Sequence, residues 1–157
     1  MPNTVALTEF KQGLQMLRDG HPDNALLHFR AASDLEERNP YYLSFIGVSM
    51  VRAGAEWKPA LSLCEIALRM KRTEPQLYLN LAEVYTAAGR REDALMILER
   101  ALASVGRDRR IVQARTKLGS RRSPVLPFLD RQHILNRHLG ILRHRIFSRG
   151  NTSRPWP

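Results

Sequence analysis

The chain has 157 residues, 43% of them apolar, and a formal net charge of +10. That length holds one domain and a modest extension, and that composition excludes both wholesale disorder and a membrane-embedded chain. No apolar run approaches the roughly 20 residues that cross a bilayer, Met1-Pro2-Asn3-Thr4 lacks the basic start and apolar core of a secretory signal, and a single cysteine, Cys64, forms no internal disulfide. A cytoplasmic location is the expectation.

From residue 4 onward the pattern is helical and it repeats. Gly13, Gly47 and Ala82 return at spacings of 34 and 35. Ala25, Ala60 and Ala94 return at 35 and 34, and so do Ala32, Ala67 and Ala101. Phe29, Cys64 and Leu98 keep the same register, four residues after each middle alanine. Each unit reads as two helices, the first with apolar residues at helical spacing, as in Leu77, Tyr78, Leu81, Val84 and Tyr85. A short turn follows at Asp19-Gly20-His21-Pro22, Ala53-Gly54-Ala55 and Ala88-Gly89-Arg90. Its glycine stands where a helix end favours a left-handed residue. Pro22 and Pro59 suit the first turn of the second helices. The small residues let paired helices approach closely. One pair cannot bury its own apolar stripe, so the units must stack.

These residues resemble the tetratricopeptide repeat family. The best copy is Leu77-Tyr78-Leu79-Asn80-Leu81-Ala82-Glu83-Val84-Tyr85, continuing through Gly89, Ala94, Leu98 and Ala101. The first two copies are looser, with Glu9 and Leu43 at an aromatic position and Met16 and Met50 at the inner tyrosine. The closing proline appears at Pro40 and Pro75, about three residues late, which predicts extended second helices in those units. The resemblance implies an all-α fold: a right-handed superhelix of three helix-turn-helix units over residues 4–106 (about 4–39, 40–74 and 75–106). It also implies a concave groove lined by the first helices. Carried over position by position, that groove comprises Leu7, Phe10, Leu14, Leu17 and Arg18, then Tyr41, Ser44, Val48, Val51 and Arg52, then Gln76, Leu79, Asn80, Glu83, Thr86 and Ala87. Of the Lys and Asn set with which the family clamps a C-terminal carboxylate, Asn80 alone is present, so such a clamp is disfavoured. An apolar lane edged by Arg18 and Arg52 instead suits a protein or peptide segment with apolar anchors and acidic residues. The alternative is that the lane packs against the chain's own tail or a second copy, as a homodimer.

Residues 107–118 read as a capping helix, with Ile111, Val112 and Ala114 inward. Residues 119–157 form a basic extension: a proline-containing linker, then a basic amphipathic helix from about Asp130 to Ser148 striped by Leu135, Leu139, Leu142 and Ile146. Residues 1–106 hold 12 Lys/Arg against 13 Asp/Glu, whereas residues 107–157 hold 13 against 2. Arg121, Arg122, Arg131, Arg137, Arg143, Arg145 and Arg149 are the candidate electrostatic contacts. The extension is open to docking on the repeats, pairing with a second copy, binding nucleic acid, lying on an anionic membrane, or meeting an acidic protein.

Nothing in the sequence supports catalysis, a cofactor or a metal. There is no glycine-rich phosphate loop and no metal-ligand spacing, and Cys64 falls in a core column as a buried thiol. The expectation is an adaptor and not an enzyme. A chaperone of the type III secretion translocator kind and an RNA- or ribosome-associated factor are the alternatives.

Overall fold

A computed structural model describes residues 3–119. They form seven helices: α1 Thr4–Arg18, α2 Pro22–Leu35, α3 Pro40–Arg52, α4 Trp57–Met70, α5 Pro75–Ala87, α6 Arg91–Val105 and α7 Arg109–Gly119. The basic helix expected from about Asp130, and the cations Arg121, Arg122, Arg131, Arg137, Arg143, Arg145 and Arg149, lie outside the described residues.

Helices α1 and α2, α3 and α4, and α5 and α6 pair as antiparallel hairpins. Each hairpin turns the same way. Gly20, Gly54 and Gly89 take φ of 82°, 82° and 73°. The amide one residue beyond each glycine donates back to the last full turn of the helix, His21 to Met16, Ala55 to Met50 and Arg90 to Tyr85, at 2.8–2.9 Å. A left-handed residue closed by this bond satisfies the last carbonyls of a helix. Helix starts are set as locally: the side chains of Asn3 and Asn39 accept from the first amides of α1 and α3, and Pro22, Pro40 and Pro75 open α2, α3 and α5.

Here the structure corrects the sequence reading. The second helices of units one and two are not extended: they end at Leu35 and Met70, and Pro40 and Pro75 begin the following first helices. Proline disfavours helix in the residue before it. In the first connection Asn39 is extended and caps α3, and Arg38 sits at φ 63°. The late prolines therefore mark the next helix and not a longer previous one.

The recurring columns meet one another. Gly13 lies against the ring of Phe29, and Gly47 against the Ala60 carbonyl and Cys64 Sγ. Ala25, Ala60, Ala94, Ala32, Ala67 and Ala101 are fully buried. Cys64 is a buried thiol, pushed up to about 12 by burial, and it donates to the Ser44 carbonyl. Between hairpins, α3 packs on both α2 and α5, and α4 also packs on α5. By contrast α2, α4 and α6 stand apart from one another. Helices α3 and α5 lie in contact, and α1 meets α3 through the side chains of Phe10 and Leu17, which sets the first helices on the inner side of the stack. Helix α7 caps it: Ile111 is fully buried, and Ala114 and Leu118 pack on the same core as Leu102 and Val105.

The candidate partner-binding groove

The inner side is built from α1, α3 and α5, and the exposure of each proposed lane residue follows from whether it faces the neighbouring first helix. Leu17, Ser44, Val48 and Asn80 are buried. Phe10 is half-buried, its ring 5.0–5.5 Å from those of Phe29, Tyr42 and Phe45 in the junction between units one and two. Leu14, Tyr41, Val51, Leu79 and Glu83 are half-buried, and Leu7, Arg18 and Arg52 are exposed. The first set holds the first helices together. The second and third form the surface a ligand would meet.

A chain of polar contacts runs beneath that surface. Asn80 Nδ2 donates to Ser44 Oγ at 2.9 Å, and Ser44 Oγ donates to the Tyr41 carbonyl at 3.0 Å. Asn80 Oδ1 accepts from Gln76 Nε2 at 2.8 Å, and Gln76 Oε1 accepts from Arg110 of α7 at 3.1 Å. Asp108 holds Arg110 in turn, at 3.0 Å. The Arg110 guanidinium keeps the Asp108 carboxyl below its usual range, and that carboxylate raises the guanidinium. The cap is thereby tied to the floor of units two and three. Beside it, Lys71 Nζ reaches Glu74 at 3.2 Å and the Tyr41 hydroxyl at 3.4 Å. Burial, and then the Glu74 carboxylate, push the Tyr41 hydroxyl up, while that hydroxyl and Lys71 hold Glu74 below the usual carboxylate range.

The two edge arginines are not alike. Arg52 Nε meets Glu83 of α5 at 2.5 Å, and the carboxylate raises the guanidinium above its ordinary value. Arg18 donates to the Leu14 carbonyl and has no carboxylate partner among the described residues. The sequence supplies the reason. Glu83 immediately follows Ala82, and the residue in that place one unit earlier is Val48, a buried apolar side chain. One arginine is neutralised by its own scaffold and the other is not.

The sequence reading missed Lys71, Glu74 and Arg110. Arg110 carried a usable signal, since it stands 34 residues after Gln76 and so continues the repeat into the cap. Lys71 and Glu74 lie in a connection, where no helical column reports them.

The sequence model of the tetratricopeptide repeat family matches residues 56–118, from the start of α4 to the end of α7. That match covers less than half of the chain, and the seven described helices share the fold of the repeat. A search of curated proteins gives no match to it. Among solved structures it is similar to the first TPR of Spaghetti (RPAP3) bound to the HSP90 peptide SRMEEVD, at 19% identity over 76% of this chain and 96% of that one, TM-score 0.63. It is also similar to PcrH of Pseudomonas aeruginosa, seen with the chaperone binding region of PopB, at 18% identity over 76% and 96%, TM-score 0.61. A thermophilic TPR protein of Thermus thermophilus, TTC0263, matches at 22% identity over 72% and 63%, TM-score 0.64. At these identities the likeness establishes the fold.

Proposed function

We propose that this chain is a tetratricopeptide repeat adaptor whose inner face grips a partner segment carrying apolar anchors and at least one acidic residue. The observation that carries the reading is Arg18: an exposed guanidinium without a carboxylate partner among the described residues, one turn from half-buried Leu14, on a face with Leu7 exposed. A cation beside apolar surface is matched by a carboxylate flanked by aliphatic or aromatic side chains, and a charge-assisted bond there adds to the packing. Two similar folds support it, since one is seen with the HSP90 peptide SRMEEVD and another with the chaperone binding region of PopB. The excess of basic residues after residue 106 would add electrostatic attraction for an acidic partner.

Affinity capture from the native cell with the full chain, followed by mass spectrometry, identifies the partner. Arg18→Glu then decides the site. Reversing an arginine that has no carboxylate partner among the described residues, and only an exposed bond to the Leu14 carbonyl, should leave the scaffold intact and weaken capture at least tenfold. Unchanged capture by a folded Arg18→Glu protein refutes the assignment. Arg52→Glu is a poorer probe, because it sets two carboxylates against each other at Glu83.

A second reading is a chaperone for a translocator-like client. The likeness to PcrH spans 96% of that chain, and the apolar part of the lane suits such a client. The readings separate by whether the captured protein is soluble alone or aggregates when this chain is withheld.

A further inference from the structure

The outer face, opposite the groove, carries a charge pattern that the adaptor reading does not use. Helices α2 and α4 are each 14 residues long and begin 35 residues apart, so every position of one has an equivalent on the other. At two positions of these helices and one just past their ends the sign is inverted: Arg30 against half-buried Glu65, Asp34 against Arg69, and, in the connections that follow, Glu37 against Arg72. None of these six residues has an ion-pair partner among the described residues, although other charges of the repeats do pair. Between them lie Leu27, Leu35, Ile66 and Met70, which are 65%, 46%, 41% and 43% exposed. Leu35 and Met70 are themselves equivalents. Glu65, Arg69 and Arg72 also line an opening of about 310 Å³ between the splayed second helices, floored by Leu68, Leu81 and Ile97.

We propose that this face pairs with itself in a two-fold dimer that sets α2 of one copy on α4 of the other. Helix direction alternates through the short turns, so α2 and α4 run the same way. A two-fold axis parallel to them, midway between, lays each on the other's equivalent in parallel and at the same height. Arg30 then meets Glu65 of the second copy, Asp34 meets Arg69, and Glu37 meets Arg72. Each pair occurs twice, and Leu35 and Met70 close the centre. Such an interface is self-complementary and stops at two copies. Helix α6 does not extend it: the place of Asp34 and Arg69 is taken there by Ala103, and Glu99 is already bonded to Arg115. The groove stays open on the far side of each copy.

Exposed ion pairs are individually weak and screened by salt. The dimer should therefore form at tens of micromolar and above at low ionic strength, and weaken as salt rises. Sedimentation velocity of the full chain, with helicity checked by circular dichroism, tests it. The wild type should move from one 18.0 kDa chain to two as concentration rises. Asp34→Arg with Glu37→Arg, and separately Arg69→Asp with Arg72→Glu, should each weaken self-association at least tenfold. An equimolar mixture of the two variants should restore it, because every contact in the mixed pair is again opposite in sign. A wild type that stays single at millimolar concentration in low salt overturns the proposal. So does a dimer that survives both reversals, or a mixture that stays single.

Discussion

The same column of the repeat is filled by glycine in units one and two, but for different physical reasons. At Gly13 a Cβ would stand 2.6 Å from the Phe29 ring, a side chain held in a cluster of four aromatics. At Gly47 it would stand 2.7 Å from the Ala60 carbonyl oxygen and 2.7 Å from Cys64 Sγ. In unit three the column holds Ala82, opposite Leu98, and both are buried. Unit one thus needs glycine because a large neighbour fills the gap. Unit two needs it because the backbones themselves come close. A shared sequence pattern conceals two packing solutions, and only one of them can be repaired by a second substitution.

Gly47→Ala should give the largest loss. Alanine gains about 1 kcal/mol of helix propensity over glycine, but overpacking a tight core costs about 1–3 kcal/mol or more. Here the obstruction is main chain, which cannot rotate away. A net destabilisation of about 2 kcal/mol is expected by urea unfolding, and Cys64→Ala should not recover it, because the Ala60 carbonyl remains. Recovery by Cys64→Ala would place the constraint on the sulfur instead.

Gly13→Ala should cost less, about 1 kcal/mol, on the same opposing terms. Phe29→Leu added to it rebuilds the alanine–leucine pair of unit three. The double variant should therefore be more stable than the sum of the two single effects by roughly 0.5–3 kcal/mol, the range for residues in contact. Additive losses would mean that the ring and the glycine are not coupled.

These contrasts also mark what was legible beforehand. The stacking of hairpins could be read because it forces small residues to return at near-constant intervals, and the turn glycines because a left-handed residue closes each first helix. The lane was less legible. A helix position says which face a residue is on, yet α3 is flanked by both α2 and α5, so Ser44 and Val48 are buried between helices and not presented to a ligand. The Asn80–Ser44 bond joins residues 36 apart, and no local pattern announces it. The helix ends failed for a simpler reason: Pro40 and Pro75 were rightly set at the start of units two and three, but their late position was taken to lengthen the helices behind them, whereas the added residues form the connections.

That buried bond divides the two junctions again. Between α3 and α5 the floor is polar, through Asn80, Ser44 and Gln76, whereas between α1 and α3 it is aromatic and aliphatic. Asn80→Ala removes the donor to Ser44 and the acceptor for Gln76. Ser44 keeps its bond to the Tyr41 carbonyl, and Gln76 is half-exposed and can turn to water. The cost should be about 1 kcal/mol, near the middle for a lost hydrogen bond. Protection of α5 amides from hydrogen exchange should fall while that of α1 amides is unchanged. Equal loss in both helices would show that the two junctions unfold as one.

The smallest effect should be a gain. Ser49 lies in α3 next to Val48, fully buried, and its hydroxyl has no hydrogen-bond partner among the described residues. Its own carbonyl is engaged by the Ala53 amide at the end of the helix, so the backbone is satisfied and the side chain alone is not. Burying an unbonded hydroxyl carries a desolvation cost, and alanine is the better helix former besides. Ser49→Ala removes one atom and leaves a void too small to matter beside those terms. A stabilisation of about 0.5–1 kcal/mol is expected from the unfolding midpoint, with the slope unchanged. A loss would mean that the hydroxyl is bonded in solution, most simply to a water held inside the α3 junction.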